Sequence, residues 1–225
     1  MCGRFSLAKG GEELAECFQI HPALPIEPRY NIAPTQPVVA VVATAEAPQP
    51  QFQILRWGLI PSWAKDITIG NRLINARAET LAEKPSFRAA FKRRRCLIVA
   101  DGFYEWHQQP DGKPKQPYYI FLRDHQPFAF AGLWEHWLDS TSGSELQTCT
   151  ILTTEPNELM ASIHTRMPVI LPPEDYAPWL DPGFYQPSVL QSMLRPYEAA
   201  AMDRYPVSTL VNKPQHDSPD CIVPL

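Results

Sequence analysis

The sequence lacks the features that would assign it to a membrane, a secretory route or a metal. It has no run of 18 or more apolar residues, which excludes a membrane-spanning helix. Its first residues, Met-Cys-Gly-Arg-Phe, do not show the basic and then apolar pattern of a secretory signal. Its five cysteines form neither a CxxC pair nor a cluster with histidine, so neither a disulfide framework nor a zinc site is indicated. We therefore expect a cytoplasmic protein without a metal or other cofactor.

Net charge is also small, at −4 for the whole chain, which by itself argues against a nucleic-acid partner. The charge is unevenly distributed, however. Residues 72–95 hold eight Lys and Arg against two Glu, a local balance of +6. A basic segment in an acidic chain is typical either of a surface that follows a phosphate backbone or of a solvated helix face. Charge alone does not decide between these two interpretations.

The chain has abundant proline and short apolar runs. Its 225 residues are 44% hydrophobic and 20% charged, which is typical of one globular domain over 1–225. Proline makes up 25 residues, about twice the usual share of ~5%, and predicts short elements joined by stiff loops. The patterning predicts helices at 12–18, 174–180 and 188–194. It also predicts a helix that is capped by Ser86 and ends at Arg94, and a further helix that is capped by Thr154. Strands are predicted at 38–43, 52–57, 96–100, 118–122, 128–133 and 148–153. Without a regular βαβ alternation, this favours an α+β fold with a twisted, largely antiparallel sheet or open β-barrel core and short peripheral helices.

Position 2 is the most informative place in the chain. Removal of Met1, which is usual before a small residue, gives Cys2 a free α-amine and a thiol on adjacent carbons. The amine has a reference pKa of about 7.7–8.0, so part of it is unprotonated at neutral pH and able to form a Schiff base with an aldehyde. The thiol can then close on the imine carbon to give a five-membered thiazolidine. The alternative is an ordinary cysteine at a frayed terminus.

Three other segments carry groups for proton transfer. Asn75 follows a strand-like stretch just before the basic segment. Glu105 lies among aromatic residues directly after a buried strand, where desolvation would raise its pKa and suit it to general acid catalysis. His164 stands close to Arg166, and histidine relays protons near neutral pH. Each of these residues can equally be structural, and spacing alone does not bring them together.

Taken together, the motifs resemble the SOS-response-associated peptidase (SRAP) family. The resemblance runs in order from residue 1 to about 213, with a short tail after it. The matching segments are Met1–Phe5, Tyr30–Thr35, Arg56–Ala64, Asn75–Glu79, Gly102–Trp106, His164–Pro168, Pro206–Ser208 and Val211–Asn212. Each motif is short, but all of them in order, with cysteine at position 2, make a specific signal.

The resemblance implies that the protein shields abasic sites in single-stranded DNA near replication through a thiazolidine DNA–protein crosslink. Cys2 would be the nucleophile, Asn75 would orient its amine, Glu105 would protonate the ring oxygen of the sugar, and His164 would transfer protons at the Schiff-base stage. Trp57 would offer a stacking surface for a base. The predicted DNA contacts are Arg4, Trp57, Arg77, Arg88, Thr153 and Arg166. We expect a monomer that associates with the bacterial nucleoid when bound to DNA.

Two other function classes stay open on sequence grounds. A cysteine peptidase would use the same Cys2, Glu105 and His164, with removal of Met1 as its first reaction. A non-catalytic single-strand binder would keep the arginines and Trp57 but would not need Cys2. Lyase activity is a variant of the crosslinking chemistry, because a Schiff base at the sugar aldehyde invites β-elimination of the 3′ phosphate. The basic segment favours a DNA substrate over a self-processing protease.

Overall fold

The computed structural model describes residues 2–139 and 141–225, and the following bounds refer to these residues. The strands are β1 Phe5–Leu7, β2 Arg29–Ile32, β3 Pro37–Val42, β4 Gln51–Trp57, β5 Asn75–Arg77, β6 Arg95–Ala100, β7 Gly102–His107, β8 Gln116–Leu122, β9 Phe128–Leu138, β10 Glu145–Thr154, β11 Met167–Pro168, β12 Ile170–Leu171 and β13 Met202–Pro206. The α-helices are α1 Gly11–Phe18, α2 Arg88–Arg93, α3 Glu158–Ala161, α4 Tyr176–Leu180 and α5 Pro187–Met193, with 3-10 turns between elements. Within the described ranges, each helix is too short or too polar to cross a lipid bilayer.

Five strands close into a small barrel in the order β10-β4-β3-β6-β9, and the ring is completed by pairing between β9 and β10. The β4–β10 pair is parallel and the other pairs are antiparallel. The barrel leaves little room inside. A Cβ atom on Gly132 would lie 2.8 Å from Cys96 Sγ and 2.9 Å from Ile98 Cδ1. Glycine at this position therefore lets β9 approach β6 closely enough to close the ring.

A second, antiparallel sheet has the order β13-β8-β7-β1-β2 and packs one face against the barrel. Phe5 of β1 joins the two units, since its ring centroid lies 5.2 Å from that of Trp57 and 5.8 Å from that of Phe130. The other face packs against the C-terminal segment through Val207, Val211 and Cys221. One continuous apolar core therefore includes residues of both sheets, and the chain preceding β1 lies at their junction.

Two short strands flank the C-terminal end of β10 on opposite edges. On one edge β5 pairs in parallel, with Asn75 opposite Ile151 and Arg77 opposite Thr153. On the other edge β11 pairs antiparallel, with Pro168 opposite Thr153. The segments that carry the Asn75 and His164 motifs are thereby brought to the same end of the same strand.

The predicted α+β class with a barrel-like core and short helices is confirmed, and the predicted strands all form. Two predicted helix starts are wrong. Thr154 is buried in β10, where it pairs with Met167, and Asn157 caps α3 instead by accepting a hydrogen bond from the amide of Met160 at 3.0 Å. Ser86 does not cap α2, which begins at Arg88. Pairing with β11 extends β10 beyond the point at which local sequence would start a helix.

Candidate active site at the end of β10

Cys2 is fully buried immediately before β1. Its carbonyl oxygen accepts a hydrogen bond from Asn75 Nδ2 at 2.7 Å, and its thiol faces the carbonyl of Arg4 at 3.7 Å. Phe5 anchors the chain in the core three residues later. The position of Cys2 is therefore fixed from both sides, by the Asn75 amide and by the start of β1. Met1, whose removal the sequence predicts, lies outside the described residues.

The electrostatic environment of Cys2 keeps its thiol protonated. Burial raises the pKa of the thiol far above its ordinary value, and the nearby Glu105 carboxylate raises it further. Reactive cysteines of peptidases have the opposite environment, one that lowers the pKa and yields a thiolate. In this resting geometry Cys2 is therefore a poor thiolate nucleophile.

Glu105 lies on β7 and is 3% exposed. Strand alternation places it on the same face as Phe103, which packs on the barrel, and its cross-strand neighbour on β8 is Tyr118. The carboxylate lies close enough to Cys2 to raise the pKa of its thiol electrostatically. A buried carboxyl group beside the reacting residue is placed for proton transfer.

Asn75 is the first residue of β5, and pairing with Ile151 fixes its backbone. The preceding carbonyl, that of Ile74, accepts a hydrogen bond from Trp57 Nε1 at 2.8 Å. Trp57 is completely buried, so the prediction that it stacks on a DNA base is wrong. Its indole instead supports the backbone directly before Asn75.

His164 lies in the loop between α3 and β11 and is half-buried. Its Nδ1 accepts a hydrogen bond from the backbone amide of Arg166 at 3.0 Å. Because the donor is an amide, Nδ1 carries no proton, and in the neutral ring the proton resides on Nε2. The local turn therefore selects the tautomer in which Nε2 is the donor nitrogen.

Arg204 links this loop to the second sheet, and sequence reasoning missed it. Its guanidinium donates to the carbonyl of Leu159 at 2.8 Å and to Ser162 Oγ at 2.9 Å, and it lies 5.6 Å from the centre of the Tyr118 ring. Tyr118 is the cross-strand neighbour of Glu105. Arg204 thus holds the His164 loop beside the strand pair that carries Glu105. No spacing in the sequence indicates this contact, because β13 follows α3 by about forty residues.

Arg166 lies at the entrance of the site. Its guanidinium donates to both carboxylate oxygens of Glu79, at 2.7 and 3.0 Å, and to the carbonyl of Thr153 at 2.5 Å. Thr153 has a fully buried side chain and its carbonyl positions Arg166, so its contact with DNA stays a prediction. Arg77 is exposed at the end of β5, beside the same strand end.

The remaining predicted DNA contacts lie further away or are engaged elsewhere. Arg4 donates to Asn31 Oδ1 at 2.7 Å and to the carbonyls of Val211 and Asn212, so it ties the C-terminal segment to β1. Arg88 is exposed at the start of α2, which packs against the barrel strands β6 and β9. The structure brings Cys2, Asn75 and Glu105 together and places His164, Arg77 and Arg166 around the end of β10. It does not place Arg88 in this group.

The basic segment is less basic on its surface than its sequence suggests. Arg95 is 2% exposed and donates five hydrogen bonds to backbone carbonyls, two at the end of α2 and three around the end of α4. Arg94 pairs with Glu135 at 2.7 Å. Two of the eight cations therefore stabilise the fold.

Trp63 lies in the loop after β4 and is 60% exposed, so it is a stronger candidate for base stacking than the buried Trp57. Its place in the Arg56–Ala64 motif could have indicated this.

No cluster of three or more His, Cys, Asp or Glu side chains suited to a metal ion occurs in the described part of the chain.

Residues 1–214 match the family model described as SOS response associated peptidase (SRAP). The abasic site processing protein YoqW of Bacillus subtilis is 49% identical over 225 residues, covering 99% of both chains. The abasic site processing protein HMCES of Gallus gallus is 33% identical over 88% of this chain and 66% of its own length. A crystal structure of a Bacteroides thetaiotaomicron protein superposes with a TM-score of 0.88 at 28% identity, covering all of both chains.

Proposed function

The chain belongs to the SOS response associated peptidase family, and we propose that it processes abasic sites in single-stranded DNA through a covalent bond formed by Cys2. The names of its relatives, which are 49% and 33% identical, support abasic-site processing. The observation that supports the covalent step is the setting of Cys2, whose carbonyl accepts a hydrogen bond from the Asn75 amide at 2.7 Å and whose thiol pKa is raised by burial and by the nearby Glu105 carboxylate.

The protonated thiol favours an order of events in which the amine attacks first. After removal of Met1, the α-amine of Cys2 adds to the C1′ aldehyde of the open sugar, and loss of water gives an imine. The thiol then adds across the imine carbon, forming the C–S bond while its proton passes to nitrogen. A thiol that stays protonated until this stage does not compete with the amine for the aldehyde. The product is a thiazolidine, and the net loss is one water.

The other residues have separate roles in this scheme. Glu105 donates a proton to the ring oxygen as the closed sugar opens to the aldehyde, and the carboxylate left by this transfer raises the pKa of the Cys2 thiol. His164 donates through Nε2, the nitrogen that the Arg166 amide leaves protonated. Arg77 and Arg166 bind the phosphates beside the lesion, and Trp63 stacks on an unpaired base.

Peptidase and lyase activities are weaker alternatives on this geometry. A thiol-dependent peptidase needs a thiolate, and both burial and Glu105 oppose its formation at Cys2. Lyase activity would proceed through the same imine and would result if β-elimination were faster than ring closure. The thiol lies on the same residue as the imine nitrogen, which favours ring closure because the step is intramolecular.

Intact-mass measurement after mixing the protein with abasic single-stranded DNA tests the proposal. The expected mass is that of the protein without Met1 plus the DNA minus one water. A mixture that contains only free protein and cleaved DNA would indicate a lyase. Unmodified protein and intact DNA would indicate a binder or a peptidase and would overturn the proposal.

A further inference from the structure

Glu79 occupies the hydrogen-bonding face of Arg166 that a DNA phosphate would use. The two side chains form a bidentate pair, with Nη1 to Oε1 at 2.7 Å and Nη2 to Oε2 at 3.0 Å. Glu79 lies in the 3-10 turn directly after β5, and Arg166 lies directly before β11. The pair therefore spans the end of β10, the strand end around which the site residues lie. The guanidinium fork recognises carboxylate and phosphate in the same planar, bidentate manner.

The side chains of Arg166 and Glu79 differ in how firmly they are held. The Arg166 side chain is 18% exposed and is anchored by its bond to the Thr153 carbonyl, whereas the Glu79 side chain is 50% exposed. Hydrogen bonds from Arg166 hold the pKa of Glu79 below its ordinary value, and the charge of Arg77 adds to this effect. Glu79 is therefore an ionised, half-exposed anion that can swing into solvent while Arg166 stays in place.

We propose that Glu79 is a specificity residue that competes with DNA phosphates for Arg166 and so suppresses binding of intact single strands. This inference rests on the proposed function, because it assumes that Arg166 meets DNA. A phosphate reaches the guanidinium fork by displacing the Glu79 carboxylate. An exposed ion pair of this kind is worth only about 0.2–1 kcal/mol, so a well-placed phosphate can replace it.

The geometry of the site makes this exchange selective. Cys2 is fully buried and Glu105 is 3% exposed, so a sugar reaches Cys2 only by displacing the groups that cover it, and a sugar without a base needs less displacement than a complete nucleotide. An abasic sugar that reaches Cys2 carries its flanking phosphate towards the end of β10. An intact strand stays outside, and its phosphates meet the Arg166 fork already filled by Glu79. Glu79 thus lowers the affinity of the protein for every strand. A strand with an abasic site regains this affinity, because its sugar reaches Cys2 and its phosphate then displaces Glu79 from Arg166.

Glu79→Gln tests the proposal, because it removes the charge and keeps the shape. The dissociation constants for intact single-stranded DNA and for the same strand with a tetrahydrofuran abasic analogue are measured over a salt series. The variant should bind intact DNA roughly 1.4- to fivefold more tightly, and its slope of log affinity against log salt should steepen by about 0.7 for the additional free cation. The ratio of the two dissociation constants should fall, so discrimination is lost.

Glu83→Gln is the matched control, because Glu83 is an exposed glutamate four residues later in the same segment. It removes the same charge and should leave the ratio unchanged. Equal gains in both variants would show a bulk charge effect and overturn the proposal. Weaker binding of both DNAs by Glu79→Gln would show that Glu79 only supports Arg166, and would also overturn it. The tetrahydrofuran analogue has no aldehyde, so these binding results are independent of crosslinking. Failure of the proposed function would be recognised separately, by the absence of a crosslink to reactive abasic DNA.

Discussion

At the residue scale, the chemistry of the site depends on two groups of one amino acid. The α-amine and the thiol of Cys2 have different tasks in the proposed reaction, and burial together with Glu105 keeps the thiol protonated until the imine exists. Cysteine at this position is then required for its adjacent amine and sulfur, and a low thiol pKa is not needed. This distinction separates the proposed crosslinker from a peptidase, in which the thiolate is the nucleophile.

Substitution Cys2→Ala should separate these tasks. Once Met1 is removed, the alanine of the variant still has a free α-amine, so an imine should form and be trapped by borohydride. A heat-stable crosslink should not form, because no sulfur is present to close the ring. Insertion of one residue between Met1 and Cys2 should abolish the stable product even though the thiol remains. A heat-stable crosslink from Cys2→Ala as abundant as that of the native protein would rule out the thiazolidine.

Glu105→Gln should slow crosslink formation by ~10²–10⁴-fold, because an amide cannot donate an acidic proton to the ring oxygen. Binding to a tetrahydrofuran abasic analogue should change little, since the side chain keeps its shape. Single-turnover rates and dissociation constants measured on the same preparation check both statements. If the rates of the variant and the native protein were equal, Glu105 would have no part in ring opening.

At the element scale, the sequence predicts the strands well but does not predict how the site residues come together. The runs at 38–43, 96–100 and 128–133 are continuous and apolar, and they become β3, β6 and the first half of β9 because a closed barrel buries them. The site forms at the end of β10 because β5 and β11 add to opposite edges of that strand, pairings between segments about 75 and 14 residues apart. Local patterning carries no information on such pairings.

The same limit explains the residues that were interpreted wrongly. Trp57 lies within the Arg56–Ala64 motif, but its side chain is completely buried in the core. Arg95 is counted as a surface cation by composition, whereas the structure uses it to bond the carbonyls at the end of α2 and around the end of α4. In each case the residue type suggested a contact with DNA, and the direction of the side chain decided against it.

Arg204 is the element-scale contact that most clearly bears on catalysis, because it joins the His164 loop to the Tyr118–Glu105 strand pair. Arg204→Met should lower the single-turnover crosslinking rate roughly 10–100-fold through misplacement of His164, with little change in affinity for the abasic analogue. Arg204→Lys should restore part of the rate, since an ammonium group can reach the same acceptors but cannot form the planar contact with Tyr118.

Arg123→Gln is the control for this prediction. Arg123 pairs with Asp203, the neighbour of Arg204, but its side chain is 57% exposed on the surface. Its removal should leave the rate unchanged. Equal losses of rate and of affinity in Arg204→Met would mean that the contact holds the fold in general and has no special relation to His164.

At the scale of the whole molecule, three cysteines lie completely inside a core shared by the barrel and the second sheet: Cys2, Cys96 and Cys149. Burial raises the pKa of all three thiols, and charge repulsion from Glu105 on Cys2 and from Cys149 on Cys96 adds to the effect. An unfolded chain ionises its thiols above a pH of about 8.5, whereas the folded chain keeps them protonated. The unfolded state therefore binds fewer protons than the folded state at alkaline pH.

This difference predicts how stability depends on pH. The contribution of each thiol is fully present below pH ~8.5 and is lost as the pH rises, at up to about 1.4 kcal/mol per pH unit. Three thiols together can approach 4 kcal/mol per unit, a large fraction of the 5–15 kcal/mol typical of a domain. Urea unfolding between pH 7.5 and 9, below most of the range in which tyrosine ionises, should show a falling free energy of unfolding. Cys149→Ala should reduce that slope by up to about a third even though the variant is less stable at neutral pH, whereas substitution of the exposed Cys17, whose pKa is raised less, should alter it less. An unchanged slope in Cys149→Ala would show that the buried thiols are not the cause of the alkaline loss of stability.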